Sequence, residues 1–156
     1  MPENAMERLL ERLKRIERAL ENEPWRKSMQ ELVDDFSERL EEIKTWLEPL
    51  LECDNPPLRW EPLKVMITEG GPRGFEAPGA RLYGPPGRYV EIVPKARQVF
   101  NATGRADFIS PKGRVVLARF APGEWSFIWP VGDDDEWRSA KLSPTSLADV
   151  LQEMMT

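Results

Sequence analysis

The chain has 156 residues, the length of about one domain, and its 22 Lys and Arg against 27 Asp and Glu give a net charge of −5. It has no histidine and one cysteine, Cys53, which excludes imidazole bases, histidine-ligated metals, internal disulfides and thiolate zinc sites. Apolar residues at 40% and charged residues at 31% are typical of a folded globular chain.

The N-terminal sequence is charged throughout and lacks the apolar core of a secretory signal. No stretch approaches the roughly 18 uncharged apolar residues that a membrane span requires. We therefore expect a cytoplasmic protein that does not bind membranes.

Charge and glycine content divide the chain into blocks. Residues 1–55 carry a net charge of −6, residues 56–130 a net charge of +5 and residues 131–156 a net charge of −4, and no glycine precedes residue 70. We predict an α+β protein with three segments: a helical arm over 1–55, a Pro/Gly-rich connector over 56–88, and a β-meander with a C-terminal helix over 89–156.

The arm is predicted to hold two helices broken near Pro24, because a proline inside a helix costs roughly 3 kcal/mol. In the first helix the apolar residues follow the 3-4-3-4 spacing of a coiled-coil seam: Met6, Leu9, Leu13, Ile16 and Leu20. The second helix has a straight apolar stripe that ends near Cys53. The joint fits either a helical hairpin or a kinked rod; we favour the hairpin, since the seam otherwise lacks a partner within the chain.

Glycine and proline crowd residues 70–88, which predicts an irregular or mobile loop. No Gly-Lys-Ser/Thr follows these glycines, so they do not indicate a phosphate-binding loop. Three arginines lie in this loop and one begins a later predicted strand, and they are the candidate anion-binding residues: Arg73, Arg81, Arg88 and Arg105.

From Tyr89 onward the apolar period is two, which predicts an antiparallel meander. The expected strands are Tyr89–Val93, Gln98–Asn101, Arg105–Ile109, Arg114–Phe120, Trp125–Trp129 and Trp137–Leu142. A last helix begins after Ser143, and its stripe should lie on the sheet. We expect this core to bury Phe120 and only one face of the strand that carries Trp125, with the tryptophan face favoured over the Ile128 face.

No catalytic constellation stands out. The acidic run Asp133–Glu136 is typical of a solvated hairpin tip rather than a metal site, and Cys53 lies at a helix C-terminus, where the dipole disfavours the thiolate. The sequence therefore indicates no metal, no cofactor and no assigned catalytic residue.

The leading functional hypothesis is a non-catalytic protein–protein interaction or assembly module, whose helical seam Leu9, Leu13, Ile16 and Leu20 binds another protein or a second copy of the chain. The alternative is a binder of nucleic acid or another polyanion through the basic segment 56–130. The third hypothesis is a small enzyme that uses carboxylates alone or a metal held by carboxylates.

Overall fold

The structure is a computed structural model that describes residues 4–21, 24–67, 74–95, 102–131 and 136–156. The chain forms two compact units, Met1–Glu31 and Leu32–Thr156. Helix α1 is Ala5–Glu21, and helix α2 is Pro24–Leu51, so α2 begins in the first unit and continues into the second. Pro24 is the first residue of α2, where a missing N–H breaks no helical hydrogen bond, and the predicted break beside it stays a prediction because residues 22 and 23 lie outside the described residues.

The second unit contains an antiparallel sheet whose strand order follows the sequence, β1 to β7. The strands are β1 (Arg59–Ile67), β2 (Phe75–Tyr83), β3 (Tyr89–Lys95), β4 (Gly104–Ser110), β5 (Gly113–Ala121), β6 (Glu124–Val131) and β7 (Glu136–Lys141). Helix α3, Pro144–Met155, follows β7. The predicted α+β class and the meander with a C-terminal helix are confirmed, whereas the coiled-coil hairpin stays a prediction.

Helices α2 and α3 cover the same face of the sheet, which we call the front face. The ring of Phe36 in α2 lies 5.9 Å from the ring of Trp125 in β6. Trp129 is on the same side of β6, since side chains alternate along a strand, and it lines a cavity together with Val150 of α3. The front face carries the core, whose largest fully buried side chains include Trp125, Phe36, Phe108 and Phe127.

Asp35 joins α2 to β5 and to the turn between β5 and β6. Its carboxylate accepts hydrogen bonds from the Arg119 Nε at 2.6 Å and from the Gly123 backbone N–H at 2.9 Å. The side chains of Asp35 and Arg119 are each only 10% exposed. This is therefore a largely desolvated ion pair with additional hydrogen bonds, the arrangement in which loss of one partner is most costly.

Helix α3 begins as the sequence predicts. The Ser143 side chain accepts a hydrogen bond from the Ser146 backbone N–H, and the Ser146 hydroxyl in turn accepts one from the Ser143 N–H. Pro144 occupies the first turn, where its missing N–H breaks no helical bond. The apolar stripe of this helix, Leu147, Val150, Leu151 and Met154, is buried.

The loop predicted over 70–88 is wrong for residues 75–83, which form β2 and pair with β1 from Arg59↔Tyr83 to Ile67↔Phe75. Strand β3 pairs with β2 only over Ala80–Tyr83, so Pro78 lies outside the part of β2 that is paired on both sides. A Cβ on Gly79 would lie 2.7 Å from the Ile92 carbonyl oxygen. Glycine is thus needed here because two strands approach closely.

Two core predictions for the meander need correction. Phe120 is 40% exposed rather than buried. Ile128 is buried although it lies on the opposite side of β6 from Trp125, where it packs with Ala102, Ala118 and Val116. Both faces of the sheet thus bury apolar side chains, and the prediction that only one face of β6 is buried is wrong. The strand expected at Gln98–Asn101 and most of the acidic tip, 133–135, lie outside the described residues.

Candidate functional site

Helix α1 presents an apolar face to solvent. Its exposed large side chains, with their exposed fractions, are Met6 (70%), Leu9 (49%), Leu10 (53%), Leu13 (53%) and Ile16 (51%). Three of the four residues predicted to form the interaction seam are therefore accessible, while the side chain of Leu20 lies outside the described residues. Soluble monomers rarely expose a contiguous apolar patch of this kind unless it binds something.

The second candidate surface is the face of the sheet opposite Trp125, which we call the rear face. Pleat alternation and the strand register bring nine charged side chains of the described strands onto it, six basic and three acidic. They are Arg59, Arg81, Lys95, Arg105, Arg114 and Lys141, with Glu61, Glu91 and Asp107. This face is therefore net positive on a chain whose net charge is −5.

The Asp107 carboxylate is at the centre of the most buried ion pair on the rear face. Arg105 binds it in a bidentate manner, with Nε–Oδ1 at 2.7 Å and Nη2–Oδ2 at 3.0 Å, and Arg114 Nη1 lies 3.4 Å from Oδ2. Asp107 is completely buried. Two cations hold one buried anion, so Arg105 stabilises the sheet and Arg114, half exposed, retains charge for a ligand.

Arg81 contacts both an aromatic ring system and a carboxylate. It donates a hydrogen bond to the Tyr83 hydroxyl at 3.3 Å and another to Glu91, and these bonds raise the pKa of its guanidinium. The same guanidinium lies 5.4 Å from the centre of the Tyr89 ring. Arg81 therefore orders the two tyrosines more than it offers a free positive charge.

Next to these tyrosines the structure has a shallow cleft, which we call the tyrosine cleft, with a volume of about 470 Å³. Tyr83 and Tyr89 are paired in register on neighbouring strands, and two proline pairs form the walls: Pro56–Pro57 and Pro85–Pro86. Arg59 stacks over Tyr83, with its guanidinium carbon 4.4 Å from the ring centre. Arg88 lies on the rim, where its guanidinium donates a hydrogen bond to the Pro86 carbonyl at 3.4 Å.

The four arginines predicted from sequence thus have different environments. Arg88 lines the tyrosine cleft, and Arg81 contacts Tyr83 and Tyr89 without lining it. Arg105 is held by Asp107 further along the rear face, and Arg73 lies outside the described residues. Sequence reasoning missed Arg59, Tyr83 and Tyr89. Only a correct assignment of β1 and β2, with their register, could have shown that these three side chains lie together.

A second cavity, also about 470 Å³, lies between α3 and the hairpin of β4 and β5. Its floor is apolar, with Trp129, Val115 and Met154, and the acids at its edge are Asp149 and Glu153 of α3. Both are exposed, whereas the buried Asp107 and the largely buried Asp35 are each held by arginine. This cavity therefore offers no buried acid–base pair to a substrate.

Within the ranges that the structure describes, no group of three metal-ligating side chains comes together. No helix among those residues has the length and apolar character needed to cross a bilayer. Comparison of the chain with protein-family models, with curated proteins and with solved structures found no match.

Proposed function

We propose that this protein is a non-catalytic assembly module in which α1 pairs with α1 of a second copy. The observation that carries the proposal is the apolar face of α1, where Leu9, Leu13 and Ile16 are each about half exposed. Their 3-4 spacing is the one that lets two copies of the same helix interlock. A self-complementary face of this kind favours a second copy over an unrelated partner.

The charges beside the seam support a parallel pair. In the heptad, Leu13 is at an a position and Ile16 at a d position. Arg12 is therefore at the preceding g position, and Glu17 is at the following e position. In a parallel two-stranded pair, Arg12 of each copy therefore lies opposite Glu17 of the other, which gives two symmetric ion pairs. An antiparallel pair in the same register would not place these opposite charges together.

The expected association is weak and reversible. Full burial of a leucine or isoleucine side chain contributes about 1.5–3 kcal/mol, so each half-exposed side chain has roughly 1 kcal/mol left to gain. Five such side chains in each of two copies give on the order of 10 kcal/mol, against an association cost of about 4–15 kcal/mol. The molecular mass in solution must therefore be measured over a range of protein concentrations.

The test is a charge substitution in the seam. We expect Leu13→Glu with Ile16→Glu to shift the sedimentation-equilibrium mass to that of the monomer, because two carboxylates per copy cannot enter an apolar interface. The matched control is Lys14→Gln with Arg18→Gln, which changes the net charge by the same two units and keeps the apolar residues. An unchanged mass for the seam variant, or a wild-type protein that is monomeric at every concentration, would contradict the proposal.

A charge exchange tests the orientation of the pair. We expect Arg12→Glu alone to weaken self-association because it places like charges opposite each other. Adding Glu17→Arg should restore the wild-type association, since the exchanged pair is again complementary. Sedimentation of both variants at matched concentrations measures this; failure of the double variant to recover would rule out the parallel register.

A further inference from the structure

We infer that the rear face of the sheet binds single-stranded nucleic acid, with one base held in the tyrosine cleft. This binding site is independent of α1 and of assembly. The inference rests on a juxtaposition that the fold creates: a net-positive sheet face that ends in a cleft lined by two tyrosines and two arginines.

The charges that a phosphate backbone would meet are at the surface. Glu91 and Asp107 are already engaged by Arg81 and by Arg105 with Arg114. Among the described residues, no ion pair joins a carboxylate to Arg59, Arg88, Lys95 or Lys141. These four cations, with the half-exposed Arg114, give the rear face and its turn the positive charge that attracts a polyanion.

The aromatic groups supply what phosphate contacts alone do not. Bases of single strands stack on tyrosine rings and on guanidinium planes, which is the main sequence-tolerant mode of single-strand binding. Tyr83, Tyr89 and the Arg59 guanidinium stacked on Tyr83 provide such planes within one cleft of about 470 Å³. The proline pairs that form its walls have restricted backbones, so little ordering cost is expected on binding.

The position of the rings distinguishes this ligand from other anionic partners. Tyr83 and Tyr89 are half-buried between the two proline turns, whose prolines are exposed, and the charged side chains that line the cleft are Arg59 and Arg88. A membrane surface is bound by apolar side chains that project outward, and these rings do not project. An acidic peptide satisfies the arginines but supplies no flat base to stack, whereas a nucleotide satisfies both.

The binding test uses the full chain and a fluorescent thymidine oligonucleotide of about 12 nucleotides, the upper part of the usual single-strand site size. Fluorescence anisotropy gives the dissociation constant over a series of salt concentrations. We expect Arg59→Gln with Arg88→Gln to weaken binding at low salt roughly tenfold. The slope of the logarithm of the binding constant against the logarithm of the salt concentration should become shallower by about 1.4, since each lost phosphate contact removes about 0.7. The matched control is Lys44→Gln with Lys64→Gln, which removes two exposed charges outside the rear face and should leave the slope unchanged.

A ring substitution tests the stacking. We expect Tyr83→Leu to reduce affinity on the order of tenfold or more, while Tyr83→Phe, which keeps the ring, retains most of the binding. Thermal unfolding of each variant verifies that it is folded, and the surface arginine variant gives an independent result if Tyr83→Leu unfolds.

Three results of the anisotropy measurements would each overturn the inference. They are no oligonucleotide binding by the wild-type protein at low salt, an equal loss in the Lys44/Lys64 control, or full affinity in a folded Tyr83→Leu variant. Vesicles containing anionic lipid and a polyglutamate peptide serve as competitors. Displacement of the oligonucleotide by either one at equal charge concentration would show a general polyanion surface and would also overturn it.

Discussion

Replacement of Trp125 by alanine is expected to lower the free energy of unfolding by about 3–5 kcal/mol, the usual cost of deleting a large buried aromatic side chain. Trp125 is 1% exposed, and its ring is tilted at 52° to that of Phe36 in α2. The substitution therefore removes the ring contact between Trp125 and Phe36 and leaves a cavity. Urea unfolding monitored by far-UV circular dichroism measures the change.

Trp137→Ala is the matched control, because Trp137 is 49% exposed and the substitution removes the same side chain. We expect the Trp137 variant to lose far less stability than the Trp125 variant. Equal urea midpoints for the two variants would show that Trp125 does not stabilise the packing of α2 on β6.

Asp35→Ala is expected to cost about 3–5 kcal/mol, since it leaves the buried Arg119 guanidinium without its carboxylate. Arg119 would retain only a 3.4 Å contact from Nη1 to the Thr103 hydroxyl, and the Gly123 N–H would lose its acceptor. The neighbouring Asp34 is exposed, so Asp34→Ala is the control and should cost much less. Adding Arg119→Met to the Asp35 variant should recover part of the loss, because it removes the unpaired charge.

The Asp35 carboxylate also makes the stability of the protein depend on pH in acid. Burial alone would raise the pKa of Asp35, but hydrogen bonds from the Gly123 N–H and from Arg119 outweigh it, and the net pKa is lowered. The Trp125 indole N–H also lies near this carboxylate and favours its charged form, although it does not reach hydrogen-bond geometry.

Because the folded pKa lies below the unfolded value of about 3.9, the stabilisation is complete above that value and is lost as the pH falls through the folded pKa. We therefore expect the stability difference between wild type and Asp35→Asn to be constant near neutral pH and to shrink below about pH 4. Urea midpoints for both proteins across this range measure the difference, and a gap that widens in acid would contradict the assigned protonation.

The sequence predicted those elements whose signals are local. The cap at Ser143 depends on the backbone chemistry of a few neighbouring residues, and the meander from Tyr89 depends on a two-residue period with proline–glycine turns. The five meander strands that are described begin and end within two residues of their expected positions. The burial of Trp125 also followed, because an aromatic strand and an amphipathic helix lie close together in the chain.

The rest depends on contacts between segments distant in sequence. Glycine and proline in 70–88 predict a loop when considered alone, but Gly79 is required by its approach to Ile92 in the next strand. The sequence did not predict β2. It therefore did not predict the register that brings Tyr83 beside Tyr89 and places Arg81 on the rear face. The seam of α1 can be recognised in the sequence. Its partner cannot, because binding depends on the surface of a second molecule as well.

The distance along the chain between α2 and its partners has a consequence for synthesis. Each strand of the sheet pairs with its sequence neighbour, so hairpins can form as they emerge, whereas Asp35 must wait for Arg119, 84 residues later. At about 5–20 residues per second, Asp35 is made roughly 4–17 seconds before Arg119. During that interval Phe36, whose partner ring Trp125 is made later still, is available to chaperones or to other nascent chains, and slowing translation after α2 should increase aggregation of this protein.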